Sequence, residues 1–186
     1  MTSWQKFCAR LLKKMGWTVD SDAAPVEKCV ILGVPHTCVG DFLVSYLYYT
    51  GIGHTAHIMI KKEFFFWPLG PILRGMGALP LDRANSTASM KGIIDAMKDA
   101  ENFYIAICPE GTRKPVGKWK TGYHLIARSV GCPVYMGYFD WGRKQVGFDE
   151  VPFELTDNAR KDTERLQQAY EDRKLVGKHP EKYITR

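Results

Sequence analysis

The chain has 186 residues, 45% hydrophobic and 25% charged, and carries a formal net charge of +6. That balance excludes a disordered polypeptide and suits one globular domain with a sizeable core. Five scattered cysteines, Cys8, Cys29, Cys38, Cys108 and Cys132, include no Cys-x-x-Cys pair and argue for free thiols in a reducing compartment over a disulfide framework.

No secretory leader is expected, because residues 1–17 lack a continuous apolar stretch before a small-residue cleavage site. They read instead as an amphipathic helix. Trp4, Phe7, Cys8, Leu11, Leu12 and Met15 recur at helical spacing, with Lys6, Arg10, Lys13 and Lys14 between them, and the helix ends near Gly16. A buried strand follows over 26–33, then a loop, then a helix over 40–49. Residues 56–60 form a strand and 64–76 a helix interrupted or entered at Pro68. A short strand over 78–81 carries Arg83 just past its end, and Ser86 is placed to cap a helix through Ala100. Strand 103–107 leads into a turn at Glu110, helix 122–130 precedes strand 134–139, and a last helix spans 158–175.

This alternation predicts an α/β fold, a single-domain sandwich around a mostly parallel central sheet with the amphipathic helix at its N-terminus. The domain runs over 26–175, and 176–186 reads as a polar tail. No apolar run approaches the 18 or so residues of a spanning helix.

Two segments carry the chemistry. In Pro35-His36-Thr37-Cys38-Val39-Gly40-Asp41, a histidine and an aspartate follow an apolar strand. Imidazole titrates near neutrality and can take a proton from a hydroxyl, while Asp41 can hold its other nitrogen. Five residues turn a regular helix through about 500°, leaving the two side chains roughly 140° apart, so the pair meets only if the chain bends between them. Pro35 and Gly40 permit that bend. Downstream, Cys108-Pro109-Glu110-Gly111-Thr112-Arg113 offers a carboxylate, a glycine turn and a cation. His36, Arg83 and Glu110 all lie just beyond expected strands, where open α/β sheets gather ligands. Glu110 between two arginines also reads as a salt bridge fixing its loop.

His36-Thr-Cys-Val-Gly-Asp41 resembles the first sequence block of the glycerolipid acyltransferases, the lysophosphatidic acid acyltransferase superfamily. Ile60 to Gly70 with Gly75 to Arg83 resembles the second block, Pro109 to Arg113 the third and Gly131 to Val134 the fourth. The order and spacings are those of the family from about residue 28 to 148, and the Trp119 to Gly122 run is similar to small bacterial members. Pro35 stands where the family often has Asn, and Cys38 where Ser is common.

The resemblance implies acyl transfer from acyl-CoA or acyl-carrier protein to the hydroxyl of a lysophospholipid-type acceptor, with His36 as general base, Asp41 orienting it and no covalent acyl-enzyme. It assigns Arg83, Glu110, Gly111 and Arg113 to the acceptor, together with Thr112 in the same turn. No metal or cofactor is implied. The expected partners are the acyl donor, a lysolipid and a membrane surface met peripherally, on the cytoplasmic inner face. A thioesterase or lipid esterase activating water is the alternative, although no Gly-x-Ser-x-Gly elbow is present. A non-catalytic lipid-binding module is the second alternative. Nucleic acid is not expected, since the aromatics form no RNP-like or zinc-finger pattern. His54 and His57 lack further ligands for a metal, and Cys38 reads as packing. Phe64-Phe65-Phe66-Trp67, beside Lys61 and Lys62, reads equally as core or as a face toward acyl chain or lipid.

Overall fold

The computed structural model describes residues 1–21 and 26–183. Thr2 opens α1 (Ser3–Lys14) by accepting the Gln5 amide, while the Gln5 side chain accepts the Thr2 amide in return. The elements then follow as β1 (Thr18–Val19), β2 (Lys28–Val34), α2 (Gly40–Gly51), β3 (Ala56–Lys61), α3 (Leu69–Gly75), β4 (Ala78–Leu81) and α4 (Ser86–Asp99). The chain continues through β5 (Phe103–Ile107), α5 (Gly122–Val130), β6 (Val134–Asp140), β7 (Gln145–Phe148) and α6 (Ala159–Asp172). One seven-stranded sheet has the order β1-β7-β6-β2-β5-β3-β4. β6, β2, β5, β3 and β4 run parallel, and β7 is antiparallel to β6. This is the α/β sandwich around a mostly parallel sheet that the alternating pattern predicts.

Strand alternation builds the three layers. Val30, Leu32 and Val34 of β2 face one side with Ile105 and Ile107, under Ile93 and Met97 of α4, Tyr123 and Ile126 of α5, and Leu166 and Tyr170 of α6. Cys29 and Ile31 face the other side with Tyr104 and Tyr135, under Val44, Leu47 and Tyr48 of α2 and Cys8 and Leu12 of α1. The central strands are covered on both faces, as parallel strands require.

Four local differences from the sequence reading have physical reasons. The helix expected over 64–76 begins only at Leu69, after a short 3₁₀ turn over Lys62–Phe64, because Pro68 disfavours helical geometry at Trp67. Asn85 caps α4 by accepting the Ala88 amide, one residue earlier than Ser86. β1 and β7 were not anticipated, since two and four residues are too few to show a period. Residues 176–183 do not trail away: the His179 amide donates to Thr37 Oγ1 at 3.3 Å, and Tyr183 packs on the core.

The amphipathic stripe of α1 is divided. Cys8 and Leu12 are buried against α2, whereas Trp4 and Phe7 stay exposed and stack at 5.2 Å. Leu12→Ala should therefore lower the unfolding free energy by about 2–5 kcal/mol in urea titrations, the range for an emptied core site. Phe7→Glu should change it by less than about 0.5 kcal/mol.

Candidate active site

The carboxyl ends of β2, β4, β5 and β6 lie along one edge of the sheet because these strands are parallel. β2 stops at Val34, residues 35–39 turn, and α2 starts at Gly40. The bend demanded by the five-residue spacing lies in that turn. It leaves His36 in the loop and Asp41 in the first turn of α2, with Nδ1 of the ring 3.1 Å from Oδ2 of the carboxylate.

Asp41 gathers more than the ring. Its Oδ2 also accepts the backbone amides of Thr37 at 2.7 Å and Cys38 at 2.9 Å. Its Oδ1 accepts the Trp141 indole at 2.8 Å and the Cys38 thiol at 3.3 Å. The residue is only 1% exposed, so these donors replace water entirely. Burial alone would raise its pKa, but His36, the Cys38 amide and the Trp141 indole hold it below the usual carboxylate value. At His36, burial opposes the imidazolium, yet the Cys108 sulfur and the Asp41 carboxylate outweigh it and carry the pKa above that of a free imidazole.

The loop after β5 supplies the second half. The Gly111 amide donates to the Cys108 carbonyl at 3.0 Å and the Lys120 amide to the Pro109 carbonyl at 2.7 Å, and Gly111 takes a left-handed φ of 67°. The turn carries Glu110 inward to 3% exposure, where Oε1 accepts the His36 amide at 2.8 Å. The salt bridge considered for Glu110 is thus replaced by a bond to backbone, and no arginine pairs with it among the described residues. Burial pushes Glu110 up to about 7, against the lowering effect of the His36 amide and ring.

Arg83, just past β4, donates Nη2 to the Gly111 carbonyl at 2.9 Å, which ties the second block to the third. Thr112 Oγ1 accepts the Lys114 amide at 3.2 Å within the turn, and Arg113 beside it is exposed. His36, Asp41, Arg83, Glu110, Gly111 and Thr112 are therefore joined by hydrogen bonds or by adjacency into one constellation. The His54-x-x-His57 pair is engaged elsewhere: His57 stacks on Phe103 at 4.1 Å and contacts the Gly77 carbonyl, and His54 packs edge-on against Tyr104. No group of three ligand-type side chains that could hold a metal occurs among the described residues.

Trp141 and the 176–179 segment were missed at the sequence level. The one available hint was position: Trp141 follows a strand expected to end at 139, hence the same edge as His36.

A buried carboxylate holding an imidazole at the carboxyl edge of a parallel sheet, with arginines alongside, is a site suited to proton transfer at a hydroxyl next to an anionic group. The Acyltransferase family model matches residues 18–136, and the chain belongs to that family. The likeness to glycerolipid acyltransferases seen in the four sequence blocks is thereby established. No curated protein matches the chain. Among solved structures, it is similar to the 1-acyl-sn-glycerophosphate (LPA) acyltransferase PlsC from Thermotoga maritima, with a TM-score of 0.59 and 19% identity over 94% of this chain and 80% of that one. At that identity the likeness is one of fold.

A carboxyl whose pKa is raised on folding favours the native state at low pH. Its contribution is complete below the unfolded value of 4.5 and is lost as pH climbs through about 7. Relative to Glu110→Gln, the wild-type protein should lose stability across that window. Parallel stability–pH curves for the two proteins would show that Glu110 is ionised as usual.

Proposed function

We propose that this protein transfers a fatty acyl group from acyl-CoA or acyl-carrier protein to the hydroxyl of a lysophospholipid-type acceptor, by direct attack and without an acyl-enzyme. The observation that carries the reading is the His36–Asp41 pair. With Nδ1 committed to Asp41 at 3.1 Å, the second ring nitrogen, with the Cys108 sulfur near the ring, is the one that takes the acceptor proton. The oxygen then attacks the thioester carbonyl, the C–S bond breaks, and the imidazolium returns its proton to the departing thiolate. Asp41 balances the imidazolium charge through each transfer. Arg83 and Arg113 supply forked donors for the acceptor's phosphate, and Glu110 holds the His36 backbone in place.

The acceptor is reached at a membrane surface. No helix among the described residues is long and apolar enough to cross a bilayer. The exposed aromatics Trp4 and Phe7 on α1, and Phe66 with 85%-exposed Trp67 before α3, support contact with a bilayer surface. Lys61 and Lys62 border the second group and favour anionic lipid.

The deciding assay measures free thiol released from an acyl thioester, with and without lysophosphatidic acid. Acceptor-dependent release supports transfer, whereas equal release without acceptor identifies a thioesterase, and none identifies a binding module. His36→Ala should lower turnover by about 10²- to 10⁴-fold without loss of folding. Because the His36 pKa is raised, kcat/KM should climb with pH along a limb lying above the free-imidazole value of 6.5, and Asp41→Asn should move that limb downward. Arg83→Lys should raise the acceptor KM more than the donor KM, since the fork is lost.

A further inference from the structure

We propose that Trp141 is a positioning residue for the acyl transfer described above, its indole N–H fixing the Asp41 carboxylate that orients His36. The inference rests on that reading of His36 and Asp41. Residue 141 lies beyond residue 136, where the family match ends, so membership of the family assigns it no role.

The two carboxylate oxygens of Asp41 are held differently. Oδ2 has His36 Nδ1 and the Thr37 and Cys38 amides, all on its own loop. Oδ1 has the Trp141 indole at 2.8 Å and the Cys38 thiol at 3.3 Å. A thiol is a weak donor, so the indole is the strong bond on Oδ1, and with the three bonds on Oδ2 it fixes the rotation of the carboxylate about its Cβ–Cγ bond. It is also the bond that reaches the carboxylate from a different part of the fold.

Trp141 is itself immobilised. Its amide donates to the Val176 carbonyl at 2.8 Å, and its ring meets Trp17 edge-on at 5.0 Å. Lys144 and Lys178 place ammonium groups 4.9 Å and 5.0 Å from its centroid. Gly40 completes the seat, because a Cβ there would stand 3.0 Å from the ring. A tryptophan serving packing alone needs neither its N–H directed at a buried charge nor this many constraints.

Trp141→Phe keeps an aromatic side chain, smaller than the indole, and removes the donor. The groups facing His36, namely Asp41 in the first turn of α2 and Cys108 and Glu110 after β5, all remain, as does the Cys38 thiol on Asp41. Loss of one donor concentrates charge on Asp41, which then holds the imidazolium proton more tightly. The expected result is a fall in kcat of about tenfold or more, as for a lost bond to a charged group. Both KM values should stay within about twofold, since no substrate contact is removed. In the unliganded protein, the His36 ring titration followed by NMR, assigned by comparison with His36→Ala, should move upward by about half a unit or more. In an Asp41→Ala protein, adding Trp141→Phe should leave that titration where it was.

A wild-type kcat in Trp141→Phe overturns the proposal, as does a reduced kcat with an unmoved titration or an equal titration shift without Asp41. If Trp141→Phe does not fold, 3-benzothienylalanine at position 141, with sulfur in place of N–H and the same shape, must give the same results. The titration is read without turnover, so its outcome is separate from any failure of His36→Ala to abolish catalysis.

Discussion

A carboxylate withdrawn from water has to be answered by donors, and at Asp41 that requirement organises the catalytic edge of the molecule. The loop after β2 curls so that two of its amides point at one oxygen, the head of α2 is set by the same residue, and the turn after β6 reaches across to the other oxygen. Removing any one partner leaves the charge incompletely compensated in a low-dielectric site, which is far more damaging than the loss of a surface bond. His36 is one of several groups serving that charge. Its orientation is as much a consequence of burying Asp41 as a cause of it.

Glu110 completes the arrangement by the opposite electrostatic logic. Asp41 is kept ionised by its donors, whereas burial brings Glu110 to the edge of neutrality with one backbone amide as partner. Two acidic side chains within one constellation thus differ in how readily they ionise, because one is saturated with donors and the other is not. The imidazole between them is presented by its backbone to one and by its ring to the other. Arg83 adds a third tie, from beyond β4 through the Gly111 carbonyl, so the loops after β2, β5 and β4 are joined along the sheet edge.

Much of this was legible in the amino-acid order, and the reasons it was or was not are local. β2 and β5 are long enough, and apolar enough, to read as buried strands, and His36 and Glu110 follow directly from where they end. The need for a bend between His36 and Asp41 came from helix geometry alone. What could not be read were contacts between residues far apart in sequence. Nothing near Trp141 announces a partner 100 residues earlier, and Glu110 beside arginines suggested a salt bridge when its partner was an amide 74 residues away. The stripe on α1 carried the right period but not its division, because periodicity shows which residues are apolar and not how deep a neighbouring helix covers them. β1 and β7 escaped for want of length, and the antiparallel end of the sheet went with them.

Gly177 sits so close to Thr37 that a Cβ on it would come within 2.5 Å of the threonine side chain, and the His179 amide closes onto the same hydroxyl. The loop bearing His36 is therefore finished by residues 142 positions later. During synthesis the strands and helices around it can assemble as they emerge, but this loop lacks its final contacts until residues 177–179 have emerged as well. A nascent chain would carry a formed sheet with an unfinished catalytic edge. The catalytic edge is then completed by the segment that follows α6, after the strands and helices beneath it.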